Sequence, residues 1–320
     1  MESLLTGLRA AAEPTRLRLL HLLAEGDLTV TELTHILGQS QPRVSRHLKL
    51  MCEAGLLDRF PEGAWVFYRL AGKGRGATLG RHLLDLLPAG DQVLALDQQR
   101  LAAVRAVRAE RAQEYFSDNA SRWDQIRSLH VDQREVEQAL LTAFTGRRFH
   151  DLVDMGTGTG RVLEVLGPQA DRAIGIDLSR EMLAAARANL ERAGLNHCMV
   201  RQGDITQLPL PPDSADAVTI HQVLHYAADP AAVVAEAARV LGAGGRLAIV
   251  DFAPHDLEVL RDRHAHRRLG FDDAEVAGWL TAVGLTPGRP HHLPGKSLTV
   301  VVWTADKPPA ATANTSGAKA

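Results

Sequence analysis

Apolar positions recur at helical spacing along the first seventy residues and again from about residue 79, then give way after residue 149 to short unbroken apolar runs. The first pattern predicts amphipathic helices, and the second predicts strands buried on both faces. Leu17, Leu19, Leu20, Leu22 and Leu23 give one helix an apolar side, with Pro14 in its first turn and Gly26 stopping it. Residues 29–37 predict a second short helix, with Leu33, Ile36 and Leu37 inward and Gly38 just past its end. A third begins after Ser40, a capping residue, with Pro42 in its first turn and Val44, Leu48 and Met51 facing the core. Its other side carries Gln41, Arg43, Ser45, Arg46, His47 and Lys49, and no acid falls between Ser40 and Lys49. Gly55 closes it, and residues 56–60 and 65–70 predict two strands joined through residues 61–64. Two short helices, a sharp turn, a basic third helix and a hairpin make a winged helix-turn-helix, whose third helix would enter the major groove of double-stranded DNA.

Residues 71–76 are rich in glycine and basic side chains and read as a loop. Leu79, Leu83, Leu84, Leu86 and Leu87 predict a short helix before Pro88, and residues 91–114 a long one with Leu94, Leu101, Val104 and Val107 on one side. The stretch 115–149 reads as helical, with Tyr115, Phe116, Trp123 and Phe144 at intervals. From there strands and helices alternate: strands at 151–153, 174–176, 199–201, 216–220 and 247–251, helices after Gly160, Ser179, Asp229 and Asp272, and a final strand at 298–303, expected to be antiparallel. Such alternation implies right-handed crossovers and a parallel sheet. The expected fold is α/β, with a winged helix-turn-helix over residues 1–72, a helical connector over 73–114, a Rossmann-like domain over 115–306 and a disordered tail over 307–320.

The stretch from Asp151 to Gly160 concentrates the chemistry. A buried strand runs into Gly156-Thr157-Gly158-Thr159-Gly160, and a helix then carries Val162, Leu163, Val165 and Leu166. Glycine there allows positive φ and close approach of a ligand, and the helix start favours an anionic group. The next apolar run ends in Asp177, where an acid accepts hydrogen bonds from ribose hydroxyls in this type of fold. Arg161 stands where a dinucleotide fingerprint wants its third glycine, and Asp154 is wrong for a pyrophosphate.

The run D-x-G-x-G-x-G at Asp154, Gly156, Gly158 and Gly160 resembles the first motif of the class I S-adenosylmethionine (SAM) methyltransferases. That resemblance extends over roughly residues 115–305. It implies SAM as cofactor and S-adenosylhomocysteine (SAH) as product, with Asp154 near the cofactor's ammonium and Asp177 and the adjoining Leu178 at the ribose. It further implies Asp204 on the adenine amino group, Ile205 against the ring, and a helical segment over the cofactor from which Tyr115 and Trp123 either line the methyl-transfer site or belong to the core. The first seventy residues resemble the ArsR-type winged-helix repressors through Glu13-Pro14-Thr15-Arg16-Leu17, Gln41-Pro42-Arg43-Val44-Ser45-Arg46-His47-Leu48 and Ala54-Gly55-Leu56-Leu57. This implies an operator contacted by Ser40, Gln41, Arg43, Ser45, Arg46, His47 and Lys49, and a homodimer formed through helices flanking the winged motif. The second helix has no cysteine, so the thiolate metal site of the metal-sensing members is not expected.

Beyond the fourth strand stand His221, Gln222, His225 and Tyr226, at the end of a parallel sheet that carries the ligand crevice. Methyl transfer needs an acceptor held in line with the sulfonium methyl and, for a protic acceptor, a base. His221 is the first candidate and His225 the second; the alternative is that His221 only hydrogen-bonds to cofactor or backbone. His264 and His266 are two apart and share no helical face, so His255, His264, His266, His291 and His292 are not expected to bind metal. Cys52 and Cys198 stand too far apart to hold a metalloid acceptor and fit a reduced, cytoplasmic protein. A net charge of −2 confines any nucleic-acid surface to a local patch, and no apolar run has the length of a membrane span or signal. Two functions remain open: a DNA-binding regulator that methylates a small molecule, and a non-catalytic repressor of methyl-cycle genes that senses SAM or SAH.

Overall fold

The computed structural model describes residues 1–309 apart from 27, 63–64, 72–73, 120–131 and 196. Contacts divide the chain into two units, Met1–Ala112 with Asp256–Arg263, and Gln113–His255 with the chain from His264 onward.

In the first unit α1 (Glu2–Ala11), α2 (Pro14–Ala24), α3 (Val30–Leu37) and α4 (Gln41–Glu53) precede a hairpin of β2 (Leu57–Glu62) and β3 (Trp65–Leu70), followed by α5 (Gly74–Asp85) and α6 (Gln92–Asn119). A two-residue strand, β1 (Leu28–Thr29), pairs antiparallel with β3, in the order β1-β3-β2. Side chains fix some of the helix starts. Glu13 accepts the Arg16 N–H at 3.0 Å to open α2, and Thr29 and Glu32 exchange side-chain and backbone bonds to open α3. Gly38, at φ 63°, ends α3 in the left-handed region that a β-carbon would disfavour. Ser40 holds the N-cap position of α4, yet its hydroxyl makes no capping bond. Val44, Leu48 and Met51 of α4 are buried against Leu19, Leu20, Leu33 and Ile36, as the spacing predicts.

The long helix departs from expectation. Val107 is exposed, and the inward position is held by an acid, Asp97, at 0 % exposure beside buried Leu101. Arg18 of α2 grips the Asp97 carboxylate with Nε at 2.6 Å and Nη2 at 2.7 Å. Such a bidentate pair offsets the loss of hydration that burial imposes on a charge. Arg18 Nη2 also reaches the Leu37 carbonyl at 3.5 Å, and Arg100 of α6 donates to the Ile36 carbonyl at 3.0 Å. Two arginines therefore satisfy the last carbonyls of α3, next to the turn into α4.

The second unit carries α7 (Gln133–Ala143) and then β4 (Phe149–Met155), α8 (Arg161–Leu166), β5 (Ala170–Asp177), α9 (Arg180–Arg192), β6 (Cys198–Gln202), β7 (Ala215–His221), α10 (Pro230–Val240), β8 (Leu241–Phe252), α12 (Asp273–Ala282), β9 (Thr286–Pro287), β10 (His291–Pro294) and β11 (Thr299–Asp306), while α11 (Val259–His264) falls almost wholly in the segment that groups with the first unit. The strand order is β10-β11-β8-β7-β4-β5-β6, with β9 also on β11. β4 through β8 run parallel, while β11 lies antiparallel to β8, as expected for the last strand. The edge strand β10 went unread because His291, His292 and Pro294 break any apolar run. Val153, Met155, Ile176, Ile220, Leu247 and Ile249 form the core, so the strands are buried on both faces and their carboxyl ends emerge together. Among the described residues no helix is long and apolar enough to cross a membrane.

Replacing Asp97 by Ala leaves the half-buried Arg18 without its counter-charge, a change that costs about 3 kcal/mol. The expected outcome is roughly hundredfold faster amide exchange across α2, α3 and the first turns of α6, read by mass spectrometry.

Candidate functional site

The glycine turn is strapped to the end of β5. Gly156 N and Thr157 N both donate to the Ile176 carbonyl, at 2.7 and 3.0 Å, and Gly160 N donates to Thr157 O at 2.9 Å. Gly158 N donates to Asp177 Oδ2 at 2.8 Å, while Ser179 N takes the other oxygen at 2.9 Å. Gly156, Gly158 and Gly160 all have positive φ. A β-carbon on Gly156 would stand 2.6 Å from Val223 Cγ2, so this glycine answers both a backbone and a packing demand.

This arrangement revises the expected source of ligand affinity. With those amides bonded inside the fold, the turn has few N–H groups left for an anion. The helix that follows, α8, is only 6 residues long, so its dipole is small. A pyrophosphate would find little to hold it, which agrees with Arg161 in place of a third dinucleotide glycine. Arg161 is instead held by Glu137 of α7 through Nε at 2.7 Å and Nη2 at 2.8 Å. Asn189 of α9 steadies the turn from the other side by donating to the Thr159 carbonyl at 3.0 Å. Neither Glu137 nor Asn189 was legible in the sequence, because only the fold brings α7 and α9 to the turn.

The other candidates stand at the carboxyl ends of adjacent strands. Asp154 is buried, and Thr219, its register partner on β7, donates its hydroxyl to Asp154 Oδ1 at 2.7 Å. Asp177 ends β5 with Oδ2 accepting the Gly158 N–H and Oδ1 the Ser179 N–H. Burial pushes its carboxyl above the ordinary aspartate range, against the lowering effect of the N–H bonds from Ser179, Gly158 and Leu178. Leu178 beside it is exposed. Asp204 follows β6, exposed, with Oδ1 accepting both the N–H and the hydroxyl of Thr206, and Ile205 packs partly against the core. His221 is the last residue of β7, buried opposite Val250 of β8. Gln222 next to it holds φ 51°, a conformation that is costly for a residue with a β-carbon and that gathers at functional sites. The Tyr115 side chain and Trp123 lie outside the described residues.

His225 forms a second enclosed polar pair, with Asp251. At 2 % exposure its Nδ1 lies 2.7 Å from Oδ1 of Asp251, itself at 0 % exposure on β8. Asp251 also accepts the backbone N–H of His225 at 3.3 Å and of Phe252 at 2.8 Å. The imidazole stacks on His266 with ring centroids 4.0 Å apart and lies 4.1 Å from the Tyr226 ring. Sequence reading found the histidine and missed Asp251, a strand residue with no motif to mark it. The 250 Å³ cavity lined by Asp151, Arg172, Ile174, Met199 and Leu210 lies along β4, β5 and β6 and involves none of these residues.

In the first unit the polar side of α4 divides. Ser40, Gln41, Arg43, Arg46 and Lys49 are exposed, and Ser45 is partly so. His47 turns toward the body of the unit, with Nδ1 at 3.9 Å from Glu13 Oε2. Burial pushes its imidazole below the ordinary histidine range, against the opposing pull of Glu13.

Comparison with known proteins agrees with this division of the chain. Residues 13–59 match the bacterial regulatory protein arsR family, and residues 153–249 match a methyltransferase domain. The arsenic resistance transcriptional regulator ArsR1 of Pseudomonas putida is 51% identical over 63 residues, 19% of this chain and 49% of that protein. The uncharacterized methyltransferase YcgJ of Bacillus subtilis is 34% identical over 111 residues, 34% of this chain and 44% of YcgJ. The crystal structure of YcgJ superposes with a TM-score of 0.50 at 21% identity, covering 55% of this chain and 99% of that one, and so shares its fold. A demethylmenaquinone methyltransferase of Deinococcus radiodurans is 35% identical over 157 residues, 46% of this chain and 62% of the enzyme. The chain thus spans about half the length of the curated relatives it matches. It joins a segment of the arsR family of bacterial regulatory proteins to a Rossmann-like methyltransferase domain.

Proposed function

We propose that this chain is a DNA-binding transcriptional regulator whose methyltransferase domain binds SAM and transfers its methyl group to a small-molecule acceptor. The observation that carries the cofactor reading is Asp177, fixed at the tip of β5 by Gly158 N–H and Ser179 N–H with lone pairs to spare for ribose hydroxyls. The amide-poor turn beside it suits an amino-acid end bearing an ammonium better than a phosphate. Asp204 would take the adenine, and the crevice residues His221 and His225 are the proposed groups near the reacting methyl. SAM supplies the methyl and its leaving group when bound; the protein's part is to orient the acceptor and exclude water. DNA binding rests on the acid-free row of Gln41, Arg43, Arg46 and Lys49, exposed on a helix whose other side is core. Exposed Leu4, Leu5 and Leu8 on α1 support a homodimer through that helix, which would present two copies of α4 to two half-sites.

A second reading, a sensor that answers to SAM or SAH without turnover, draws on α6. One continuous helix, Gln92–Asn119, is bonded through Arg100 to the Ile36 carbonyl of α3 and through Asp97 to Arg18 of α2, which itself reaches the Leu37 carbonyl next to the recognition helix. A helix carries a rigid-body shift better than a flexible tether.

Asp177→Ala should weaken SAH binding by about 1.5–3 kcal/mol in calorimetry, the contribution of hydrogen bonds to a charged group. Ribose hydroxyls donate to the ionised carboxylate, so affinity should fall as pH drops through the Asp177 range. That range is raised, so the fall should begin at higher pH than for an ordinary aspartate and be missing in Asp177→Asn. Unchanged affinity in Asp177→Ala would remove the ribose assignment.

Arg46→Ala should weaken binding to the native upstream DNA by about 1–3 kcal/mol, with overall affinity falling steeply as salt is added. Gel shifts showing no complex at low salt would end the operator reading.

Saturating SAM or SAH should change operator affinity by about 1–3 kcal/mol in fluorescence anisotropy, and DNA should change ligand affinity by the same factor. Asp97→Asn should shrink that coupling. Superimposable titrations, with ligand binding verified, would leave an enzyme without allosteric control.

A further inference from the structure

The carboxylate of Glu13 is where three segments of the first unit meet. It accepts from the Thr15 hydroxyl and from Arg16 N, each at 3.0 Å, and Gln39, in the turn before α4, donates to the same hydroxyl at 3.2 Å. His47 of α4 brings Nδ1 to 3.9 Å from Oε2, too far for a hydrogen bond. The network is unfinished: His47 Nδ1, Gln39 Oε1 and Arg16 Nε are sealed from solvent, and none has a hydrogen-bond partner. Buried polar atoms in that state cost stability, so three around one carboxylate call for an explanation. Of these residues His47 is the one whose charge changes near neutral pH. Protonated, its ring carries hydrogen on both nitrogens, so Nδ1 becomes a donor facing Glu13 from either tautomer.

The charges around the ring oppose that proton in the free chain. Burial holds the imidazole below the ordinary histidine range; Glu13 pulls it up, while Arg16 of α2 and Arg43 and Arg46 of α4 push it down. On the other elements packed against α4, Glu2, Arg9 and His35 are exposed, Glu32 caps its own helix, and Asp58 and Arg59 act on Cys52. Lys49, on α4 itself, faces Glu53 at 3.9 Å. Arg43 and Arg46 are exposed, away from the core residues of α4, where phosphates would neutralise them. With two of the three arginines neutralised, the balance moves toward Glu13.

We propose that His47 is a proton-uptake site of DNA binding: as α4 meets phosphates, the imidazole takes a proton from solvent and Nδ1 closes on the Glu13 carboxylate, bracing the recognition helix against the start of α2. Glu13 is then a positioning residue that acts on DNA through His47. This rests on the operator reading above. The DNA-bound state holds more protons than the free one, so affinity rises as pH falls through the histidine range, by at most about tenfold per pH unit for one proton per chain. Linkage is reciprocal, so operator DNA must raise the pH at which His47 titrates.

The test titrates the full chain with the native upstream DNA by calorimetry, on the acid side of neutrality, in phosphate and in Bis-Tris buffer. The two buffers give different heats when they lose a proton, so the difference in measured enthalpy counts the protons taken up. The expected result is uptake approaching one proton per chain. His47→Gln should form the complex with no uptake and an affinity flat over that pH range. Glu13→Gln, whose amide oxygen can still accept the Arg16 N–H, should lower the uptake several-fold. In a magnetic-resonance titration of labelled histidines, DNA should move one ring to higher pH, and that ring should be missing in His47→Gln. The inference is overturned if the complex forms without proton uptake, if His47→Gln takes up as many protons as the wild type, or if DNA leaves every histidine titration in place. The first and third outcomes need no variant, so they decide even where a substitution prevents folding. Absence of any complex at low salt instead removes the operator reading, and this inference with it.

Discussion

The second unit depends on the grip between the glycine turn and the end of β5. Two turn amides converge on the Ile176 carbonyl, and a third fixes one oxygen of Asp177. Parallel strands end with unpaired backbone groups at their carboxyl edge, and these must be satisfied somewhere. Here the turn satisfies them, and in doing so it sets the position of the acid. Val223 crowds Gly156, Ala186 lies 3.1 Å from where a β-carbon on Gly160 would stand, and Glu137 and Asn189 hold Arg161 and Thr159. The candidate crevice is therefore a by-product of closing the sheet edge, with little freedom in how its parts stand.

The same economy explains why the turn suits one ligand class over another. An anion-binding turn keeps its amides free and follows them with a long helix. This turn uses its amides internally and is followed by six helical residues. What remains is a close-approach surface, a fixed carboxylate at Asp177 and, further along the edge, an imidazole backed by Asp251.

In the first unit charge is used differently. Half-buried Arg18 holds buried Asp97, and with Arg100 they tie the long helix to the last carbonyls of α3. An apolar contact at that place would allow sliding. A bidentate pair has one good geometry, so α6 and the segment leading into α4 keep a fixed relation. His47, turned toward Glu13, belongs to this interior and leaves Arg43, Arg46 and Lys49 as the open cationic row.

The chain's apolar spacing was enough to determine most elements: helices α2 to α4 of the winged segment, the parallel strands from β4 to β8 and the antiparallel last strand. Glycine spacing and Asp177 pointed to a turn and a strand tip that the fold does bring together, because backbone demands on glycine and the acid at a strand end are local in sequence. Several features were decided only by the tertiary structure. Asp97 lies among polar neighbours on a helix whose apolar residues pointed to Val107, and its burial follows from an arginine 79 positions away. Asp251 sits at the end of an apolar run that reads as core, and only the pairing of β7 with β8 brings it to His225. The amides of the glycine turn look free in sequence and are taken up by a strand that the chain reaches later. In each case the deciding contact joins residues distant in sequence, and hydrogen-bond partners across such distances leave no periodicity to read.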